Sequence, residues 1–414
     1  MTSVSRQQAL ATAERLLNTE DILAAVPAGG FLNGLAGTAL LHARLAAVDP
    51  VFAQAAVHHW AAAAQNPGPH RGAAGIFSSP GGLAASLIIG SAYLPDPDSQ
   101  RAVTARAVRW LAARAVDLEH GRKEHLRAGG VGTPWPIYDA INGLAGVGRV
   151  LLAALTAGYD TAESGLLAAL RTLTAMIDTQ HRRRPGWWLP AGEHSSAVTV
   201  HPSGAATTGM AHGIAGPVSL LATAHAAGWS VAGQRAAIQS AAHWLLRWRT
   251  DTAHSWAPYV TGDELDSDTA APTAGRRDAW CYGAPGIGRA LILAGSALAD
   301  PRLTTVGEAA IASLSDRPAG LWDTEGPTLC HGYAGVLQSA TTSQGGTGDS
   351  AATAVTEAFN PQLTLAFQHL HNALPSDEPG LLTGSAGVAL ALADHGQLPE
   401  PPVPARWDSL LLLS

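Results

Sequence analysis

Cysteine is scarce in this 414-residue sequence, which contains two, Cys281 and Cys330. Two cysteines cannot build a disulfide framework, so we expect a protein of the reducing cytoplasm. Charged residues make up only 14% of the chain and the net charge is −7, which excludes the basic surface of a nucleic-acid-binding protein. No apolar run reaches the roughly 18 residues of a spanning helix, and the N-terminus lacks the features of a signal peptide. We therefore expect no direct membrane insertion.

Glycine is abundant, and it recurs in a fixed pattern. A Gly-x-Ala-Gly motif or a close variant occurs seven times, with its second glycine at Gly37, Gly82, Gly146, Gly216, Gly286, Gly335 and Gly387. The steps between copies range from 45 residues (37 to 82) to 70 residues (146 to 216). A step of about 50 residues accommodates two helices of about five turns each. The repeat therefore predicts an all-α fold of seven helical hairpins.

Seven hairpins can stack as an open solenoid or close on themselves. An odd number of repeats without a polar capping repeat favours the closed form, an α/α toroid. In a toroid the glycine turns meet at one end, and the residues just before each first glycine line a shared mouth. Strand-like sequence is scarce and lies mainly in the longer steps between motifs, for example "GWWLPAGEHSSAVTVHPSG" at 186–204. We predict one domain over 1–414 with a small strand-containing extension near 181–207.

Three consecutive motifs carry reactive side chains just before the first glycine. His212 stands one residue before it, Cys281 two residues before it, and Cys330 and His331 occupy both positions in the next motif. Two thiolates and an imidazole form a soft ligand set that suits zinc, and three protein ligands leave the open fourth position of a catalytic site. The alternative is that both cysteines are small buried hydrophobic residues, the commoner fate of a free cysteine.

Other polar and aromatic residues share this register. Asp139 precedes the third motif, and Arg277, Trp280 and Tyr282 surround Cys281. Taken singly, each has an ordinary structural explanation, such as helix-end chemistry for Asp139 or core packing for Trp280. Together they predict a carboxylate, a guanidinium and a phenol beside one metal ion.

The sequences "MAHGIAG", "AWCYGAPG" and "LCHGYAG", in this order, resemble the motifs of the lanthipeptide cyclases of the LanC type. The resemblance covers nearly the whole chain through its length and its seven glycine motifs. It implies an α/α toroid with one Zn²⁺ per chain, held by Cys281, Cys330 and His331. It also implies active-site positions for five other residues: His212, Asp139, Arg277, Tyr282 and Trp280.

That family joins cysteine thiols to dehydroalanine or dehydrobutyrine in a dehydrated precursor peptide, forming lanthionine or methyllanthionine thioether rings. The resemblance implies a precursor peptide with a leader as substrate, and a lanthipeptide dehydratase and an exporter as candidate partners. His212 would transfer protons, Asp139 would orient its imidazole, and Arg277 would stabilise an enolate oxygen. Two alternatives stay open: a related enzyme that adds glutathione or another free thiol, and a non-catalytic peptide-binding scaffold with a structural zinc.

Overall fold

The computed structural model of this chain describes residues 2–68, 75–181, 183–194, 200–250, 254–270, 277–341 and 378–414. Within these ranges the first eight α-helices are α1 (Thr2–Arg15), α2 (Thr19–Ala25), α3 (Leu35–Leu45), α4 (Pro50–Gln65), α5 (Gly81–Gly90), α6 (Arg101–Arg127), α7 (Trp135–Tyr138) and α8 (Leu144–Thr156). The next eight are α9 (Glu163–Asp178), α10 (Ala215–Ala226), α11 (Gln234–Arg247), α12 (Gly262–Ser267), α13 (Ala284–Leu298), α14 (Pro301–Ala312), α15 (Tyr333–Thr341) and α16 (Ser385–His395). None of these helices is both long enough and apolar enough to cross a membrane.

An inner ring of helices begins at the glycine motifs. Among the described residues, α3, α5, α8, α10, α13, α15 and α16 each begin between the two glycine positions of one motif. Each packs against the next in this order, and α16 packs against α3, so the ring closes. These helices are apolar on nearly all faces; every residue of α3 is buried, as expected for a helix surrounded by protein. The closed α/α toroid predicted from the repeat is confirmed.

A second layer of helices surrounds this ring. Helices α4, α6, α9, α11 and α14 each pack against the inner helix that precedes them in the chain. The N-terminal helix α1 packs against α16, so the first and last helical segments of the described chain meet. In α6, a helix of this layer, the buried positions Val108, Leu111, Ala112 and Ala115 recur at helical spacing, so one side of the helix faces the inner ring.

The second glycine of each motif allows the loop before an inner helix to pack closely against the start of that helix. In six of the seven motifs this glycine lies in the first helical turn, directly against a carbonyl oxygen of the preceding loop. The exception is Gly82, where a Cβ would lie 2.9 Å from a carbonyl oxygen in the loop of the first motif. A Cβ on Gly286 would lie 2.1 Å from the carbonyl oxygen of Trp280, and one on Gly335 would lie 2.0 Å from that of Leu329. Any larger residue would push the loop away from the helix. The loop therefore folds back over the helix start and presents its residues at one end of the ring.

Backbone hydrogen bonds connect these loops around the ring. The N–H of Cys281 donates to the carbonyl of Cys330 at 3.3 Å, and the N–H of Cys330 donates to that of Leu382 at 2.9 Å. On the other side, the N–H of Ala211 donates to the carbonyl of Cys281 at 3.2 Å. The ladder also joins the last motif to the first, where the N–H of Leu381 donates to the carbonyl of Leu32. Residues that are about 50 or 70 positions apart in the chain thus become neighbours.

The strands are short. In the sequence they lie between helices α9 and α10 or between helices α11 and α12. They are β1 (Gln180–His181), β2 (Arg184–Pro185), β3 (Trp188–Leu189), β4 (Ala205–Thr207), β5 (Arg249–Thr250), β6 (Ser255–Trp256) and β7 (Tyr259–Thr261). Strands β3, β4 and β7 form an antiparallel sheet in that order, while β1 pairs with β2 and β5 with β6. Strands β2 to β4 lie in the stretch near 181–207 where we expect strands, and β7 extends the sheet of β3 and β4 from outside that stretch.

The last residues of the chain are buried between inner helices. Residues 407–413 are almost fully inaccessible to solvent and pack against α5 and α8. Arg149 of α8 donates to the carbonyl of Ser414 at 2.8 Å, and Arg289 of α13 donates to that of Leu413 at 2.6 Å. This segment accounts for two buried arginines in the ring.

Candidate functional site

One group of side chains in the described part of the chain is close enough to share a metal ion. It consists of Cys281, Cys330 and His331, whose two sulfurs and one imidazole nitrogen lie within 4.8 Å of one another. Both cysteines are buried and His331 is half-buried. Cys281 Sγ lies 3.0 Å from His331 Nδ1. The two cysteines come from adjacent loops that the Cys281–Cys330 backbone hydrogen bond holds together.

The electrostatics of this group favour a thiolate. The hydrogen bond from the Cys330 thiol lowers the pKa of Cys281 to about 5, against the opposing effect of burial. The same bond, together with burial, raises the pKa of Cys330. The hydrogen bond to Cys281 also raises the pKa of His331. Cys281 Sγ thus accepts hydrogen bonds from both the Cys330 thiol and the His331 imidazole. A metal cation can replace these two protons, and a ligand set of two sulfurs and one imidazole suits zinc.

His212 and Asp139 form a hydrogen-bonded pair beside the thiols. His212 Nδ1 lies 2.6 Å from Asp139 Oδ2, and 28% of the His212 side chain is exposed while Asp139 is fully buried. The other carboxylate oxygen accepts from the backbone N–H groups of Asn142 and Gly143, at 2.6 and 2.9 Å. Burial lowers the pKa of His212, but the charge of Asp139 and the hydrogen bond to it outweigh burial and raise the pKa. The Cys281 charge acts in the same direction.

The other three predicted site residues occupy different environments. Tyr282 is half-buried next to Cys281, and burial followed by the Cys281 charge raises its pKa, so its phenol stays protonated at neutral pH. Arg277 is 37% exposed and forms an ion pair with Glu325, whose hydrogen bond raises the pKa of Arg277. Trp280 lies fully in the core, and its Nε1–H donates to the carbonyl of Leu411 at 2.8 Å.

Three residues around the site were missed by the sequence analysis. Trp135 stacks on the His212 ring, Tyr138 donates its hydroxyl proton to the His212 carbonyl, and Glu325 binds Arg277. The first two belong to the stretch "PWPIYDAING", which also contains Asp139. Their proximity to Asp139 in sequence was a usable signal, whereas nothing in the sequence connects Glu325 with Arg277 across 48 residues.

The comparisons with known proteins agree with one another. A family model described as "Lanthionine synthetase C-like protein" matches residues 29–412. The nisin biosynthesis protein NisC of Lactococcus lactis subsp. lactis is 28% identical to the chain over 208 residues, which are 49% of this chain and 48% of that protein. The chain thus matches about half the length of this relative. The solved structure of nisin cyclase is similar with a TM-score of 0.80 and 21% identity, over 100% of this chain and 98% of the other, which supports the fold.

Proposed function

The chain belongs to the lanthionine synthetase C-like family, and from this premise we propose that it is a zinc-dependent lanthipeptide cyclase. It would add cysteine thiols of a dehydrated precursor peptide to dehydroalanine or dehydrobutyrine, closing lanthionine or methyllanthionine rings. The observation that carries this proposal is the buried group Cys281, Cys330 and His331 beside the His212–Asp139 pair. The whole chain, 1–414, would act as one toroid domain.

Cys281, Cys330 and His331 would hold one Zn²⁺ per chain. When bound, zinc supplies an open coordination position at which a thiol is deprotonated at neutral pH. Among the described residues, the group whose ligand atoms lie close enough together contains Cys281, Cys330 and His331 and does not include His212. The three-ligand arrangement favours a catalytic site over the structural zinc of a non-catalytic scaffold, which needs four protein ligands.

His212 is the residue to which we assign proton transfer. With the Nδ1 proton donated to Asp139, the lone pair of the neutral imidazole lies on Nε2. Because Asp139 raises the pKa of His212, this nitrogen is a stronger base than an ordinary imidazole. Nε2 takes the proton of the substrate thiol, and the sulfur electron pair forms a bond to the β-carbon of the dehydro residue. The π electrons move onto the adjacent carbonyl as an enolate.

Return of the proton to the α-carbon completes the reaction. One S–H bond and one π bond are consumed, one C–S and one C–H bond form, and nothing is oxidised or reduced. Tyr282 stays protonated and can donate a hydrogen bond to the enolate oxygen. Arg277 can stabilise the same oxygen when its guanidinium leaves Glu325, and its partial exposure allows this movement. Trp280 supports the loop that carries Cys281 from the core side.

The chemistry also defines what must act before this enzyme. Dehydroalanine and dehydrobutyrine arise by loss of water from serine and threonine, so a dehydratase must prepare the precursor peptide. We propose a precursor with a leader as the substrate, a dehydratase and an exporter as partners, and the cytoplasm as the place of reaction.

A synthetic peptide with one cysteine and one dehydroalanine tests this function. Zinc-loaded protein should remove the free thiol without changing the peptide mass, because cyclisation is an isomerisation. The same incubation with excess glutathione separates the alternatives, since a glutathione adduct increases the mass. Retention of the free thiol with dehydrated peptides of several ring sizes, at full zinc loading, would contradict the cyclase proposal.

A further inference from the structure

Three side chains of one five-residue stretch hold His212. Trp135, Tyr138 and Asp139, from helix α7 and the residue that ends it, contact the ring face, the carbonyl oxygen and Nδ1 of His212, respectively. We propose that Trp135 is a positioning residue that fixes the ring plane of His212 for proton transfer. This inference rests on the proposed function for its catalytic consequence, while its geometric part concerns the free protein.

By itself, the hydrogen bond to Asp139 does not fix the orientation of the His212 imidazole. A bond at Nδ1 restrains one atom of the ring but permits the ring to tilt about the line through that bond. The outer torsion of a histidine side chain is broad and has no sharp staggered minimum. The ring plane therefore needs a second restraint, because the lone pair of Nε2 lies in that plane and changes direction when the ring tilts.

Trp135 supplies a flat surface at the required distance. The centroids of the Trp135 and His212 rings are 4.7 Å apart, and the two planes differ by 16°. Tilting the imidazole would separate these stacked faces and lose the favourable contact of an aromatic pair. The carbonyl of His212 accepts hydrogen bonds from the hydroxyls of Tyr138 and Thr207, each at 2.8 Å. The backbone of His212 is thus held by two contacts, its Nδ1 by Asp139 and its ring plane by Trp135.

Trp135 itself is held rigidly. It stands between Pro134 and Pro136, whose rings restrict the backbone on both sides. His194 also meets the Trp135 indole edge-on, with ring centroids 5.5 Å apart and planes at 85°. His194 is in turn bonded through Nε2 to the carbonyl of Leu189 in β3 at 3.2 Å. The strand-containing extension therefore supports the indole that supports His212.

The test compares Trp135→Leu and Trp135→Phe with the matched control Trp187→Leu. Trp187 is another buried tryptophan of this region, and it packs edge-on against Trp244. In peptide-free protein with ¹³C-labelled histidine, the His212 ring protons, identified by their absence in His212→Asn, should be shifted by the indole ring current. Trp135→Leu should abolish that shift, whereas Trp187→Leu should leave it unchanged.

The kinetic readout uses the synthetic cysteine–dehydroalanine peptide. Trp135→Leu should lower kcat by about 10- to 100-fold, the usual cost of a misplaced catalytic group, with a change in KM of less than about threefold. Zinc content should be unchanged, and Trp135→Phe, which keeps an aromatic face, should recover most of kcat.

Two results would overturn the inference: an unchanged His212 shift in Trp135→Leu, or a kcat no lower than that of Trp187→Leu. If wild-type protein forms no ring at all, the proposed function fails, and the chemical shifts still decide whether Trp135 sets the His212 plane. The two failures are therefore distinguishable.

Discussion

Two junctions between neighbouring loops of the ring share the same kind of backbone hydrogen bond but carry different side chains. At the thiol junction, the loop of Cys281 meets the loop of Cys330 and His331. At the closing junction, the loop of Asn33 meets that of Leu382 and Thr383. In both, a backbone N–H of one loop donates to a carbonyl of the next. The scaffold is therefore common to both junctions, and the side chains decide what each does.

The closing junction satisfies its own polar groups. Asn33 Oδ1 accepts from the backbone N–H of Leu382 at 2.9 Å, and Asn33 Nδ2 donates to Thr383 Oγ1 at 3.0 Å. The thiol junction instead buries two sulfurs whose best available partners are each other and one imidazole. A buried anionic sulfur is costly without a counter-charge, so this junction is suited to a cation and the other is not.

The pKa values of the histidines also differ between the first hairpin and the loops around the thiols. Burial lowers the pKa of His42 to about 3 and that of His59 to about 4, so both stay neutral in the first hairpin. Asp139 raises the pKa of His212, and Cys281 raises that of His331. A buried histidine whose ring is bonded only to neutral groups stays neutral and contributes to packing. An anionic partner raises the pKa of the imidazole, so that it can take up and release a proton near neutral pH.

Removing a thiol should have the largest effect. Cys281→Ala and Cys330→Ala should each lose nearly all bound zinc and all detectable ring formation, because two remaining ligands do not hold zinc. Metal analysis after purification in metal-free buffer, with circular dichroism to verify helical content, provides the measurement. Asn33→Ala is the matched control at the closing junction and should retain about one zinc per chain. Equal zinc loss in all three variants would remove the distinction between the junctions.

Replacing His212, the base that we propose, should have the next largest effect. His212→Asn should lower kcat by about 10²- to 10⁴-fold, the usual contribution of a general acid or base, and leave zinc binding intact. Asp139→Asn should lower kcat less, since an amide oxygen can still accept from the backbone N–H groups of Asn142 and Gly143. Ring formation and zinc content are measured on the same samples. Wild-type kcat in zinc-loaded His212→Asn would refute the proton-transfer role.

Acid should destabilise the fold through the first hairpin. His42 and His59 donate from Nε2 to the carbonyls of Leu16 and Leu17, and Thr38 Oγ1 bonds to His59 Nδ1. The unfolded chain binds protons below pH 6.5 and the folded pair does not until about pH 4, so stability falls as pH falls through this window. The expected loss at pH 5 is about 2 kcal/mol per imidazole.

Urea unfolding at several pH values measures this loss, with His42→Gln as the comparison. The variant should show a shallower decrease of unfolding free energy between pH 7 and pH 5. Parallel curves for the variant and the wild type would mean that His42 is not held neutral.

The smallest effect is expected at the closing junction. Asn33→Ala leaves the backbone N–H of Leu382 without its side-chain acceptor, which should lower the unfolding free energy by about 1–3 kcal/mol. The kcat of ring formation should stay within about twofold of wild type, because the groups that we propose as catalytic lie at other loops. Urea denaturation and the peptide assay provide the two values. A large loss of kcat at unchanged zinc content would show that the junctions are coupled.

Much of this architecture could be predicted from the sequence because it repeats. At Gly286 and Gly335 a Cβ would lie about 2 Å from a carbonyl oxygen, so only glycine fits. Because each repeat has this requirement at the same place, the glycines recur in the sequence at the repeat spacing. The shared register of Cys281 and Cys330 then placed both thiols at one loop position, and the structure brings them together.

Features without a repeat could not be predicted in this way. Strands of two or three residues, such as β7, give too few positions for an alternating pattern to be recognised. Trp280 was grouped with the site by its neighbour Cys281, yet its indole faces the core and bonds to Leu411, 131 residues later. Contacts between residues that do not repeat, such as Arg277 with Glu325, also leave no pattern in the sequence.

Zinc-edge X-ray absorption of wild-type protein tests the central claim most directly, namely that the thiol junction is an open zinc site. We predict two sulfur ligands and one histidine nitrogen from the protein, with an exchangeable fourth ligand. Adding a cysteine-containing peptide should raise the number of sulfur ligands from two to three. Zinc without sulfur ligands, or a closed site with a second histidine that does not change on adding the peptide, would contradict the claim.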